Sequence, residues 1–285
     1  MSAEFSIAER LVAAHHLQKV STRHGTVSYR EAGSGPALCL LHGISSQSGS
    51  WVHQLDTLAA RFHVVAWDAP GYGGSDRLPA NAPASSDYAD SLAGLLDALS
   101  IERMLLVGSS FGALIAGAFA ANRPERVVGM VLLSPAGGYG LADASEREAR
   151  LAVRLQRLAR LGPQGLAHDL PNGMLSERAS IEARALAAWG TAHIRPDGYS
   201  QAARTLADGR LIEDAVRYPG PVLVVAGARD DITPAAGSQA IALAFQRGTF
   251  RVVENAGHLC HLDTPAVINS AITDMAQRCL ERARQ

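Results

Sequence analysis

The sequence predicts an α/β fold: a mostly parallel sheet flanked by helices, with a block of helices inserted late in the chain. Three observations carry that expectation. Short apolar runs alternate with helix-patterned segments from residue 37 to residue 133. The alternation then stops for about eighty residues, far beyond an ordinary connection, before it resumes at 219. Midway, an apolar run ends in Gly108-Ser109-Ser110-Phe111-Gly112 and an apolar helix pattern begins at once.

The elements follow in order. Residues 1–17 mix Glu4, Glu9, Arg10 and two histidines with apolar positions, which breaks any signal-peptide core and reads as an amphipathic helix. Residues 18–22 and 26–31 lean towards strand around the turn Arg23-His24-Gly25. Residues 37–41 form the first core strand, which ends at His42-Gly43. Residues 62–67 form the next, which ends at Asp68-Ala69-Pro70-Gly71, and 50–60 read as the helix between them. Helix 88–99, strand 104–107, helix 111–121 and strand 127–133 continue the crossover pattern.

After Ser134-Pro135, the run Gly137-Gly138-Tyr139-Gly140 opens the insertion. Leu151, Leu155, Leu158 and Leu161 recur at helical spacing within 145–161, and 181–192 and 198–206 also read as helices. A helical cap over 138–214 is therefore expected, with 1–137 and 215–285 as the core domain. Strands at 222–225 and 250–253 and a last helix at 265–282 complete the chain.

Composition narrows the function. The 285 residues are 47% hydrophobic and 19% charged, enough to bury a large core. Twenty-six basic residues against 27 acidic ones leave a net charge of −1, so no long-range field attracts nucleic acid or an anionic membrane. A small-molecule substrate is the expected partner. Lys19 is the only lysine, which removes most Schiff-base and P-loop chemistry. Cys39, Cys260 and Cys279 lack zinc or disulfide spacing and suggest a reducing compartment. No apolar run is long enough to span a bilayer, so a cytoplasmic location is expected.

The five-residue junction is the chemical signal. A sharp strand-to-helix turn pushes the Ser110 side chain out of the sheet, and glycines two residues away on each side permit close backbone approach. A serine hydroxyl is a poor nucleophile near neutral pH, so it needs a base in hydrogen-bond reach and an acid to orient that base. His258, in Asn255-Ala256-Gly257-His258, follows the last strand, and Asp230, in Gly227-Ala228-Arg229-Asp230-Asp231, follows the one before. Both loops can face Ser110. No H-E-x-x-H, Walker loop or strand-linked G-x-G-x-x-G occurs, and the chemistry needs neither metal nor organic cofactor.

With these residues in place the sequence resembles the α/β-hydrolase family over roughly 20–136 and 216–282. The resemblance rests on His42-Gly43, on Asp68-Ala69-Pro70-Gly71-Tyr72-Gly73-Gly74-Ser75, on the Ser110 turn, and on the Gly227 and Gly257-His258 loops. It implies an eight-stranded sheet and a triad of Ser110, Asp230 and His258. The family's G-x-x-D loop selects Asp230 over Asp231. It implies an oxyanion hole of backbone N–H groups from Ile44 and Phe111, with His42 structural and His261 a loop residue.

Trp51, Met174, Trp189 and Leu259 are the expected pocket residues, and Phe111, Trp51 and Leu259, nearest the expected chemistry, favour an apolar or aromatic substrate over a highly charged one. The leading reaction is hydrolysis of a carboxylic ester or lactone through an acyl-enzyme. Carbon–carbon hydrolysis of a vinylogous diketone is the alternative, because the turn and cap look similar to meta-cleavage-product hydrolases. That group often has asparagine before the serine and tryptophan after the histidine, where this chain has Ser109 and Leu259. A non-catalytic ligand receptor on the same fold is the alternative of another class.

Overall fold

The computed structural model describes residues 3–282. Eight strands form one sheet: β1 (Gln18–Thr22), β2 (Gly25–Ala32), β3 (Ala37–Leu41), β4 (His63–Trp67), β5 (Met104–Ser109), β6 (Val127–Leu133), β7 (Pro221–Gly227) and β8 (Arg247–Val253). Their spatial order is β1-β2-β4-β3-β5-β6-β7-β8. The β1–β2 hairpin and the β2–β4 pair are antiparallel, and all later pairings are parallel.

Parallel strands covered on both faces need apolar residues at every position rather than every second one. β3, β4, β6 and β7 meet that need with runs such as Val-Leu-Val-Val. Alternate residues then feed two separate cores. Leu40, Val64, Val107, Val131 and Val225 pack under α2 (Val52–Leu58) and α11 (Pro265–Arg282). Leu41, Val65, Leu106, Leu132 and Val224 pack under α3 (Ser85–Ala98), α4 (Phe111–Asn122) and α9 (Ala235–Ala244). α4 is apolar all round and almost wholly buried, as a helix enclosed by protein must be.

Between β6 and β7 the chain forms α5 (Ala144–His168), α6 (Ile181–Ala192), α7 (Pro196–Asp208) and the short α8 (Leu211–Ala215). The helix expected at 145–161 continues to His168, because the chain resumes a helical path after a break. Gly162 takes φ 60° and ψ 177°, and Pro163 starts the second piece, where its missing N–H does no harm. Ser180 caps α6 by accepting a 3.1 Å hydrogen bond from the Ala183 N–H. α1 (Ala3–Ala13) packs on this segment rather than on the sheet: Ala8 and Val12 share an apolar cluster with Ala183, Leu186 and Trp189.

The helices at 181–192 and 265–282 and the strand at 127–133 fall where the sequence places them. α9 was not among the expected helices. Among the described residues, no helix is long and apolar enough to cross a membrane.

Candidate active site

In an open parallel sheet the loops after the strands' carboxyl ends gather at one edge. Here that edge receives His42-Gly43-Ile44 after β3, Asp68 after β4, Ser110 after β5, Asp230 after β7 and His258 after β8. The topology alone thus brings together residues up to 216 positions apart, the separation of Gly43's strand from the β8 loop being bridged by sheet pairing.

Ser110 sits between β5 and α4 with φ 51° and ψ −114°, a conformation that costs a non-glycine residue about 1–3 kcal/mol. Its backbone is held there: the Ser110 N–H donates to Leu133 O at 2.9 Å, and its carbonyl accepts from the N–H groups of Ala113 (3.0 Å) and Ala136 (3.2 Å). The turn works only with glycine two residues on, since a Cβ at Gly112 would meet the Leu41 carbonyl oxygen at 2.2 Å. The side chain leans over the β3 loop, where a Cβ at Gly43 would lie 3.3 Å from Ser110 Cβ.

Asp230 is 5% exposed, whereas its neighbour Asp231 points to solvent. Asp230 Oδ1 accepts from the N–H groups of Ile232 and Thr233, each at 2.9 Å, and Oδ2 accepts from Thr233 Oγ1 at 2.8 Å. His258 Nδ1 donates to Oδ2 at 3.0 Å, which fixes the tautomer and leaves Nε2 as the basic nitrogen. Burial works hardest against the carboxylate's charge, yet the contacts to His258 and Thr233 together outweigh it and hold the pKa below its ordinary value. Thr233 Oγ1 also reaches Ser134 O at 3.1 Å and so ties the acid loop to the end of β6. The sequence reading assigned Thr233 no role, although it lies in the quoted loop; a hydroxyl three residues after the acid was the available signal.

The loop after β3 is equally fixed. His42 Nδ1 donates to Gly43 O at 2.8 Å, and Nε2 accepts from the Ala69 N–H at 3.0 Å. Burial pushes its pKa down despite the pull of Asp68, so the ring stays neutral, as an accepting Nε2 requires. Tyr72 donates its hydroxyl to Ile44 O at 2.9 Å, and Asp68 Oδ1 accepts from the Ser48 N–H at 2.7 Å. The Ile44 and Phe111 N–H groups make no hydrogen bond among the described residues, the latter because it opens a helix.

Ser110, His258 and Ile44 wall a cavity of about 100 Å³, with Met174 and Leu259 also in its lining. Trp51 and Trp189 lie elsewhere. Trp51 is fully buried in the sheet core and stacks on His261 at 4.3 Å, while Trp189 packs in the α1–α6 cluster. Both are large apolar residues that solve packing problems away from the cavity. His261 is not placed as a base: neither ring nitrogen has a hydrogen-bond partner among the described residues. Burial, then the nearby His258 and His53, push its pKa down to about 3. Nor is Cys260 poised as a nucleophile, since burial first and nearby Asp230 and Asp263 raise its thiol to about 12.

A larger open groove of about 1050 Å³ runs alongside and shares Leu170, Pro171 and Met174 with the inner cavity. None of Ser110, Asp230 or His258 lines it, whereas Ser110 and His258 line the smaller cavity.

Comparison with known proteins agrees with this fold. The family described as the alpha/beta hydrolase fold matches residues 36–265. The (E)-2-((N-methylformamido)methylene)succinate hydrolase of Acinetobacter baylyi is 30% identical over 87% of this chain and 92% of its own length. The 3-oxoadipate enol-lactonase 2 of the same organism is 26% identical over 85% of this chain and 89% of its own. Among solved structures, a thermophilic esterase from Thermogutta terrifontis superposes with a TM-score of 0.82 at 26% identity, covering 93% of this chain and 99% of that one.

Proposed function

The chain belongs to the alpha/beta hydrolase fold family, and from that premise we propose that it is a serine hydrolase cleaving a small carboxylic ester or lactone through an acyl-enzyme. The observation that carries the reading is that Ser110 and His258 wall one cavity while Asp230 accepts the Nδ1 proton of His258 at 3.0 Å. The relatives' names point the same way: one is a hydrolase of a formamido compound, another an enol-lactonase, and a third an esterase.

In this reading Ser110 Oγ attacks the substrate carbonyl carbon as His258 Nε2 takes the hydroxyl proton. The oxygen that becomes negative is met by the unpaired N–H groups of Ile44 and Phe111, which need no rearrangement to donate. The tetrahedral adduct collapses, the imidazolium gives its proton to the departing alkoxide or enolate, and the acyl group remains on Ser110. Water then attacks the acyl-enzyme with His258 again as base, releasing the acid and restoring the serine. Asp230, held ionised by its four hydrogen bonds, stabilises the imidazolium at both stages.

Residues 138–214 act as the cap in this scheme and 1–137 with 215–285 as the core. Support comes from the lining, where Tyr139, Leu166, Met174 and Tyr199 join the sheet-edge residues around one space. A fluorophosphonate probe tests the nucleophile. It is expected to label Ser110, with Ser110→Ala losing both the label and at least about 10⁴-fold in ester turnover. A label on another serine, or turnover that survives the substitution, overturns the assignment. Short aryl esters, lactones and vinylogous diketones assayed side by side decide the bond, because a carbon–carbon hydrolase would use the same residues.

A further inference from the structure

Four arginines of α5, Arg147, Arg150, Arg154 and Arg157, recur every three or four residues and so share a face of the helix. Three of them have a carboxylate. Arg147 pairs with Asp208 at 2.7 Å, Arg150 with Glu146 at 2.7 Å and Arg157 with Asp169 at 2.9 Å. Arg154 makes no ion pair among the described residues. It lines the cavity over Ser110 and His258, as does the Asp169-paired Arg157, and its polar neighbours there are the phenols of Tyr199 and Tyr139. No aspartate or glutamate lines that cavity.

The guanidinium is partly buried at the cavity wall, where its positive charge is met by phenols but by no carboxylate among the described residues. Resting on the serine-hydrolase reading above, we propose that Arg154 binds a carboxylate of the substrate remote from the bond being cleaved. The substrate class is then the monoester, or the lactone acid, of a small dicarboxylic acid. A carboxylate suits the site because its two oxygens match the planar fork of a guanidinium, and phenol hydroxyls can donate to it without adding charge. Burial opposes the charge on Arg154, but Tyr199 and Tyr139 more than offset it and raise the pKa, so the residue stays cationic. The apolar wall of Leu166, Met174 and Leu259 accommodates the carbon skeleton between the two ends, while the remote carboxylate departs from the apolar or aromatic substrate expected from the sequence.

The test compares 4-nitrophenyl monoesters of succinate, glutarate and adipate with the same compounds methylated at the distal carboxylate. In the wild-type enzyme at least one free acid should exceed its methyl ester in kcat/KM by about 10- to 100-fold, the range of a charge-assisted hydrogen-bonded contact. Arg154→Gln should collapse that ratio to about one, and Arg154→Lys should keep part of it. Equal turnover of acid and methyl ester by the wild type, or an unchanged ratio in Arg154→Gln, overturns the proposal. Fluorophosphonate labelling of Ser110 in every variant reports folding and the nucleophile separately. If the label fails to reach Ser110 in the wild type, the hydrolase reading fails. Calorimetric binding of glutarate to wild type and Arg154→Gln then still decides the anion site: equal binding, or none to either, overturns it.

Discussion

The carboxyl edge of the sheet and the helical segment between β6 and β7 wall the same cavity, yet they are built in opposite ways. At the sheet edge many of the contacts that hold the polar residues involve backbone groups. Ser110 is pinned to β6, Asp230 accepts four hydrogen bonds, and His42 locks the Ile44 loop to the end of β4. The helical segment is held by apolar side-chain packing, with arginine–carboxylate pairs added on its half-exposed surfaces. Such pairs contribute about 0–1 kcal/mol each and are easily exchanged. The contrast teaches where each property resides. In the proposed reaction, reactivity rests on strained backbone that tolerates little change, whereas selectivity rests on helix side chains that can be replaced without disturbing the sheet.

The sharpest way to break this contrast is to weaken one contact at the sheet edge. Asp230→Asn keeps the shape but loses the charge and the tautomer control, and kcat for ester hydrolysis should fall by about 10⁴-fold. Asp231→Asn, in the adjacent exposed position, should stay within about threefold of wild type. Comparable losses in the two variants would remove Asp230 from its proposed role.

Stability should divide in the same manner. Leu132 is fully buried between β5 and β7, and Leu132→Ala should destabilise by about 2–5 kcal/mol in urea unfolding. Val153 on α5 is 65% exposed, and Val153→Ala should change stability by no more than about 0.5 kcal/mol. A large effect at Val153 would mean that α5 buries this face against something in solution.

A further effect concerns pH. His261 has a pKa of about 3 in the folded chain, below the ordinary value of 6.5, so the unfolded chain takes up a proton the folded one refuses. Its contribution to stability is complete above about pH 6.5 and is lost progressively as pH falls towards 3. At pH 5 the loss is about 2 kcal/mol relative to pH 7.5. His261→Phe, which keeps a ring against Trp51, should flatten the acid limb by that amount. Parallel acid limbs in the two proteins would show that the ring titrates freely.

Legibility in the sequence follows the same division. The strands, the Ser110 turn and the loops of Asp230 and His258 could be read because backbone demands leave motifs: glycines at close approaches and apolar runs of fixed length. The pocket could not. Trp51 and Trp189 have the composition of pocket residues, and only the packing shows that one lies under the sheet edge and the other under α1. Arg154 is one of five arginines in α5, identical to its neighbours until the partners of each are known. α9 escaped because Ala-Ala-Gly-Ser-Gln-Ala has weak amphipathic contrast and begins after a proline.

The packing of α1 on α6 has a practical corollary. The first helix of the chain braces α6 through Ala183, Leu186 and Trp189, and α6 in turn brings Thr191 to the cavity wall. Trimming the first dozen residues, or fusing a bulky affinity tag ahead of them, amounts to re-engineering the roof of the cavity from outside. Expression vectors for this protein are better designed with the tag at the opposite end.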